Sequence, residues 1–353
     1  MSRDTEKNVK KQKINTMKEL SVAIGVSRPT LSRYFQDPDS VRRSTSERIR
    51  RELEKIEYVP NFFATRMNRK TTGLIGVIIP YLNDLFFTNL LQAIESAAME
   101  AGFTVIMQCS HSDPQIEARA AETFMSMSMD GALVVPLGNQ SDIKTHERLN
   151  ARLPYVLVDS RPNTMPDVDF VGTDHPRSTR LITEYLCRVG ESPILLGMPR
   201  VNFNALERER AYIAVMESLG HEPVVIGTDL VEEGWYFESH GEAVLDAAFA
   251  RGRFTDRSIL CVNDRVAIGA LRAASRHGLV PGRGASGGLR IAGHDDYPLC
   301  PYTTPALTTV AQDVEKIGRA AVSRLVRKMQ GKAEGTSPEI ELFDGVLKLR
   351  ESA

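Results

Sequence analysis

Two arginines five positions apart, Arg28 and Arg33, lie in the short segment SRPTLSRY with hydroxyl side chains between them. A guanidinium fork can bond guanine O6 and N7 together, which makes arginine the side chain best suited to that base edge. A second set of chemistry-bearing residues follows apolar runs much further along the chain. Asp159 ends YVLVD, Asn263 and Asp264 end SILCVND, and Asp295 and Asp296 end LRIAGHD. Carboxylates and an amide that converge at strand ends can bracket neighbouring hydroxyls, as a buried polyol requires.

The elements that must position the first set are legible as helix signals. Thr16 with Glu19 forms a capping box, so a helix is expected from Met17, with Leu20, Ala23 and Ile24 on one face. Gly25 stops it. Ser27 can cap the next helix, and Pro29 is tolerated in the first turn. That helix ends before Asp37-Pro38. Two short helices around a glycine turn make a helix-turn-helix, whose second helix enters the major groove. Ser44 with Glu47 reads as a second capping box, and Ile49, Leu53 and Ile56 as the buried stripe of a third helix.

Charge divides the chain in the same place. Residues 1–70 carry 17 Lys or Arg against 9 Asp or Glu, a balance of +8 in a chain whose total is −1, which leaves −9 for the remainder. Only the head suits a phosphate backbone.

From Gly73 onward, short apolar runs alternate with helical stretches. GLIGVIIP, TVIMQCS, GALVVP and YVLVD form one series; PILLGMP, PVVIG, SILCVND and LRIAGHD form another. Such alternation predicts parallel sheets with right-handed crossovers, in two similar subdomains flanking a cleft. Ligands in open parallel sheets bind beyond the carboxyl ends of the strands, where Asp159, Asn263 and Asp295 fall. Phe86, after the first strand, would form an apolar wall. Asp264 is expected to cap the helix RVAIGALRAA that follows it.

The segment GVSRPTLSRYFQDPDSVRRSTSERI resembles the headpiece of the lactose/galactose repressor (LacI/GalR) family, and YVPNFFATRM resembles that family's hinge. The resemblance continues through MDGALVVP, NDRVAIGALRAASRHGLVPG, GHDD and PALTTVAQD. It implies a small all-α helix-turn-helix headpiece followed by an α/β periplasmic-binding-protein-like core of two Rossmann-like subdomains. The chain would cross three times between those subdomains. The headpiece would span residues 1–60 after a disordered basic tail to about 13, and the hinge residues 61–71. The core would span 72–353, its first subdomain about 72–172 and 312–337, its second about 173–311 and 338–350.

On that resemblance Arg28, Pro29 and Arg33 face base edges, and Thr30 and Ser32 bond phosphates. Asn61 and Ala64 start the hinge, and Met67 takes the position of an apolar wedge that unstacks one base step. Met67 stands where the family usually has leucine, and Pro29 where it often has a hydrogen-bonding reader. Arg208, in ALERERAY, matches the arginine before the family's G-[FYW], with Ala211 in place of glycine. Trp235 matches a position where some relatives stack an aromatic ring on a sugar. His294 replaces a common aromatic residue.

Cys109, Cys187, Cys261 and Cys300 lie far apart, as free thiols of a reducing compartment do. The polar N-terminus and the lack of a long apolar run argue against export and membrane insertion and for the cytoplasm. Gly282–Gly287 matches GxGxxG but precedes a strand, so the nucleotide reading fails. No P-loop, HExxH or G-x-S-x-G occurs, and the histidines lack ligand spacing, so neither enzyme, metal nor cofactor is expected. The sequence thus reads as a homodimeric, carbohydrate-responsive repressor of double-stranded DNA. A purine or other co-repressor-dependent regulator is the alternative. A sugar-binding or sugar-modifying protein with an inactive headpiece is the rival from another class.

Overall fold

The computed structural model describes residues 12–61, 71–199, 203–228, 236–282, 288–332 and 337–353, in two units, Met1–Thr72 and Gly73–Ala353. In the first unit, α1 (Met17–Ile24) is capped by Thr16, whose hydroxyl accepts from the Glu19 amide at 3.2 Å. It ends on Gly25 at φ +68°, the left-handed conformation glycine adopts without strain. Arg48 reaches across to donate to the Ile24 and Gly25 carbonyls, a cation at the helix's negative end. Ser27 caps α2 (Arg28–Gln36), with Pro29 in its first turn. Leu20, Ile24, Leu31 and Ile49 are buried together as the small core.

Three expectations change here. α3 runs Arg43–Leu53, so Ser44 lies inside it and caps nothing. The Arg42 carbonyl accepts from the Thr45 and Ser46 amides, and Glu47 pairs with Arg43 at 3.1 Å instead of closing a box. Ile56 belongs to a strand, β2 (Ile56–Glu57), which pairs in parallel with β1 (Gln12–Lys13). The basic tail therefore has backbone order by residue 12.

The second unit contains two parallel sheets. The larger has six strands in the order β13-β7-β6-β5-β3-β4. These are β3 (Leu74–Ile79), β4 (Thr104–Cys109), β5 (Gly131–Val134), β6 (Tyr155–Val158), β7 (Phe170–Thr173) and β13 (Ile340–Phe343). The smaller has the order β11-β10-β8-β9, with β8 (Ile194–Leu196), β9 (Val225–Ile226), β10 (Ser258–Cys261) and β11 (Arg290–Ala292). The central strands β3, β5, β6, β8 and β10 are buried throughout, which is why they read as unbroken apolar runs. β12 (Thr309–Ala311) and β14 (Val346–Lys348) pair antiparallel as the chain passes between the sheets. It passes there after β7, again between β11 and β13, and finally between β13 and β14.

The expected second subdomain included residues 338–350, but β13 lies in the first sheet, beside β7. Its alternating exposure marks an edge strand with one solvated face, a pattern that does not assign it to either lobe.

Candidate functional site

On α2, Arg28, Pro29 and Arg33 are exposed, while Thr30 and Ser32 are half-buried. Neither Arg28 nor Arg33 has a side-chain partner among the described residues. Thr30 shares a 2.8 Å hydrogen bond with the capping Ser27, so part of its capacity is spent on the helix start. Asn61 is exposed at the end of the described segment. Ala64 and Met67 lie outside the described residues, as does Trp235.

Phe86, Asp159, Arg208, Asn263 and Asp295 line one cavity of about 40 Å³ between the two sheets. That volume admits little more than a water or two, far below the several hundred Å³ of most ligand sites, so the cleft is closed. Asp159 follows β6 at φ 67°, in the left-handed region where aspartate is among the few tolerated side chains, and Asp295 follows β11 at φ 121°, beyond that region. The loop carrying Asp295 packs tightly. A Cβ on Gly293 would stand 2.1 Å from an oxygen of Asp264, so the glycine makes room for that carboxylate.

Asp264 is fully buried and serves the loop. Its carboxylate accepts from Thr309 Oγ1 at 2.6 Å, the Tyr297 amide at 2.7 Å and the Cys300 thiol at 3.2 Å. Burial, with Asp295 nearby, pushes its pKa up to about 7. The expected cap role belongs to its neighbour. Asn263 Oδ1 accepts from the Val266 amide at 2.8 Å and so starts the helix Asp264–Arg276 (α10). A carboxylate in the first turn signalled a cap, but the competing asparagine one residue earlier has the extended backbone a cap needs.

Arg208, on the helix Phe203–Ser218, organises the site. Its three nitrogens donate to His175 Nδ1 at 3.3 Å, the Val262 carbonyl at 2.9 Å and Asp295 Oδ1 at 2.7 Å. Asp295 Oδ1 also accepts from Gln312 Nε2 at 2.7 Å and from His294 Nδ1 at 3.2 Å. Gln312 in turn accepts from Thr173, at the end of β7, so one network ties both sheets to a crossover. Burial works against the Asp295 charge, but Arg208 and His294 prevail and hold its pKa below the usual value. Burial and the Arg208 charge push His175 well down and His294 to about 4. Both imidazoles are therefore neutral at pH 7. His294, which stands where the resemblance expected an aromatic ring, thus serves as a donor to Asp295.

Sequence reasoning missed Asp84, Asn204, Arg265 and Gln312. Asp84 Oδ1 caps the helix Leu85–Glu100 (α4), and its Oδ2 accepts from Arg265 at 3.0 Å across the cleft. Arg265 also forms a two-pronged pair with Glu238, both distances 2.7 Å, and its charge lies 4.9 Å from the centre of the Phe237 ring. Glu238 and Arg265 meet because Phe237–Phe249 (α9) and α10 cross on glycines. A Cβ on Gly269 would fall 1.9 Å from the Glu238 carbonyl oxygen. A cap signal at Asp84 was available in the sequence. The other contacts join residues 17 to 181 positions apart, which local pattern cannot reveal.

Asn204 Nδ2 donates to Asp159 Oδ2 at 3.0 Å. The second carboxyl oxygen of Asp159, Oδ1, and the amide oxygen of Asn204, Oδ1, are buried and have no hydrogen-bond partner among the described residues. Each such orphan costs about 1–3 kcal/mol, so the pair is poised for donors that the described residues do not supply. Burial pushes the Asp159 pKa up to about 7; Asp295 and Asp84 add to the rise, against Arg208 and Asn204.

Comparison with known proteins covers both units. Residues 16–61 match the model for bacterial regulatory proteins of the lacI family, and residues 191–353 that for a periplasmic binding protein-like domain. The HTH-type transcriptional regulator MalR of Streptomyces coelicolor is 27% identical over 319 residues, 89% of this chain and 90% of that protein. The HTH-type transcriptional repressor CytR of Escherichia coli is 27% identical over 351 residues, 97% of each. A crystal structure of the lac repressor dimer bound to operator and the anti-inducer ONPF superposes with a TM-score of 0.83. It is 25% identical and covers 96% of this chain and 98% of that one. No helix among the described residues is long and apolar enough to cross a membrane.

Proposed function

Because the chain belongs to the LacI/GalR family of transcriptional regulators, we propose that it is a repressor whose operator affinity is set by a small polyhydroxylated effector in the cleft. The observation that carries this reading is the pairing of two unlike surfaces in one chain. A lacI-family helix presents two exposed arginines without side-chain partners among the described residues, and a closed polar cleft holds buried oxygens that lack donors among them.

In this reading Arg28, Pro29 and Arg33 meet base edges, Thr30 and Ser32 meet phosphates, and Asn61, Ala64 and Met67 belong to a minor-groove hinge over residues 61–71. Two copies of the chain set two recognition helices on a pseudo-palindrome. Asp159, Arg208, Asn263 and Asp295 bracket the effector, with Phe86 as an apolar wall. The protein acts by binding and not by turnover, in the cytoplasm, where its DNA is.

Coupling follows from the closed cleft. A ligand larger than the 40 Å³ cavity enters only if the Asp84–Arg265 pair opens, so binding and lobe angle are linked. The effector shifts DNA occupancy only by its differential affinity for the two lobe arrangements. The test is titration of labelled upstream DNA with the full-length chain, at several salt concentrations and with a panel of saccharides. The reading expects specific binding that weakens steeply with salt and changes at least tenfold with one saccharide. Binding that distinguishes neither its own upstream DNA from random DNA nor any saccharide from buffer would refute it.

A further inference from the structure

The charge and hydrogen-bond inventory of the cleft says more about the effector than its size does. Among the described lining residues stand three carboxylates, Asp84, Asp159 and Asp295, and two cations, Arg208 and Arg265. All three nitrogens of Arg208 are engaged by His175, Val262 and Asp295. All three of Arg265 are engaged by Glu238 and Asp84, and Glu238 adds a further negative charge behind it. Each guanidinium is thus already paired with carboxylates of the chain, Asp295 for Arg208 and Asp84 and Glu238 for Arg265, with which a phosphate or carboxylate would have to compete. The unpartnered atoms at the Asp159–Asn204 pair are both acceptors, on side chains bonded to each other.

We propose that the Asp159–Asn204 pair is the specificity determinant of the cleft, selecting a neutral or cationic ligand with two adjacent hydrogen-bond donors and rejecting its anionic derivatives. A vicinal diol supplies the donors from two hydroxyls, and a primary amine supplies both from one nitrogen. A phosphate or carboxylate at this point brings only acceptors at neutral pH. It would face the Asn204 oxygen, an Asp159 carboxyl that burial leaves part protonated near neutral pH and that a ligand donor favours as carboxylate, and the carboxylates of Asp84, Asp295 and Glu238 against two guanidiniums. The inference rests on the effector reading above, which it narrows from sugars and their derivatives to the unphosphorylated, non-acidic ones.

The experiment measures binding of matched probes to the full-length protein by calorimetry and thermal shift. The sets are glucose, glucosamine, glucose 6-phosphate and gluconate; ribose and ribose 5-phosphate; cytidine and its 5′-monophosphate. The proposal expects at least one neutral or amino member to bind, at least tenfold more tightly than the anionic member on the same skeleton. Asp159→Asn removes the charge and puts an amide donor in its place, and asparagine tolerates the backbone at φ 67°. That variant should cut the neutral-to-anionic ratio several-fold, whereas Asn204→Asp should raise it. An anionic probe that binds as tightly as its parent overturns the proposal and leaves the effector reading standing. The same holds for a ratio that neither substitution moves. If no probe of any charge binds a protein that does bind its operator, both the effector reading and the proposal fall.

Discussion

Arg33 and Arg208 are the same side chain put to opposite uses. Arg33 stands exposed on α2 with its guanidinium unengaged among the described residues, and Arg28 does the same one turn earlier. Arg208 is 6% exposed and spends each nitrogen on a histidine, a carbonyl and a carboxylate of its own chain. A surface that must read an external partner keeps its donors free. A surface that must hold a cleft in one of two arrangements commits them internally and leaves acceptors for the ligand. The headpiece therefore gains little stability from Arg28 and Arg33, and the cleft depends on Arg208.

The sharpest way to break this contrast is to remove the buried cation. Arg208→Met should destabilise the core by about 3–5 kcal/mol in urea unfolding, because Asp295 then remains buried without its main partner. A loss below about 1 kcal/mol would mean that the network is not what holds the cleft.

Next comes the pH dependence of Asp159. Its pKa in the folded chain is about 7, above the ordinary carboxylate value of 3.8, so the folded state binds the extra proton in that interval. Stability from this group is intact at low pH and is lost as pH rises through the window between those values. Asp159→Asn should thus stabilise the protein by roughly 2–4 kcal/mol at pH 8, shrinking to about 1–2 kcal/mol at pH 5 and toward nothing below about pH 4, as read from Tm against pH. A pH-independent difference would contradict the buried-carboxylate account.

On the other surface the effect moves from stability to affinity. Arg33→Ala should weaken specific operator binding by about 1–3 kcal/mol and leave the unfolding midpoint and ligand affinity essentially unchanged. Equal operator binding by the variant would remove Arg33 from the groove. The smallest effect belongs to the scaffold beneath. Thr16→Ala removes the cap of α1 and should cost about 1 kcal/mol of headpiece stability, measured by the helix signal on heating.

The contrast also explains what the sequence could reveal. Helix ends at Thr16 and Ser27 were legible because a cap is a local bond between residues three positions apart, and the end at Gly25 because glycine takes the left-handed conformation there. β3, β6 and β10 were legible because burial on both faces demands an apolar run. β13 and β14 escaped notice because exposed residues alternate along them instead of forming an apolar run, with Ile340 and Leu342 of β13 outward, and β12 because its one valine stands between threonine and alanine. Ser44 misled because its spacing to Glu47 fits a box, while the helix begins earlier and Arg43 claims the glutamate. Asp159, Asn263 and Asp295 were found by their place after strands. Their partners Asn204 and Gln312 were not, since nothing in local spacing marks a side chain that acts on a residue of another element. Asn263 additionally caps its own helix, a structural duty that precedes any contact with ligand.

The most direct test of the central claim is one titration. Fluorescence anisotropy of labelled upstream DNA, with full-length protein at fixed ionic strength, is followed with and without a saturating saccharide identified by calorimetry. The account predicts specific binding whose Kd shifts at least tenfold when the cleft is occupied. A Kd that stays the same with the cleft demonstrably filled would contradict it.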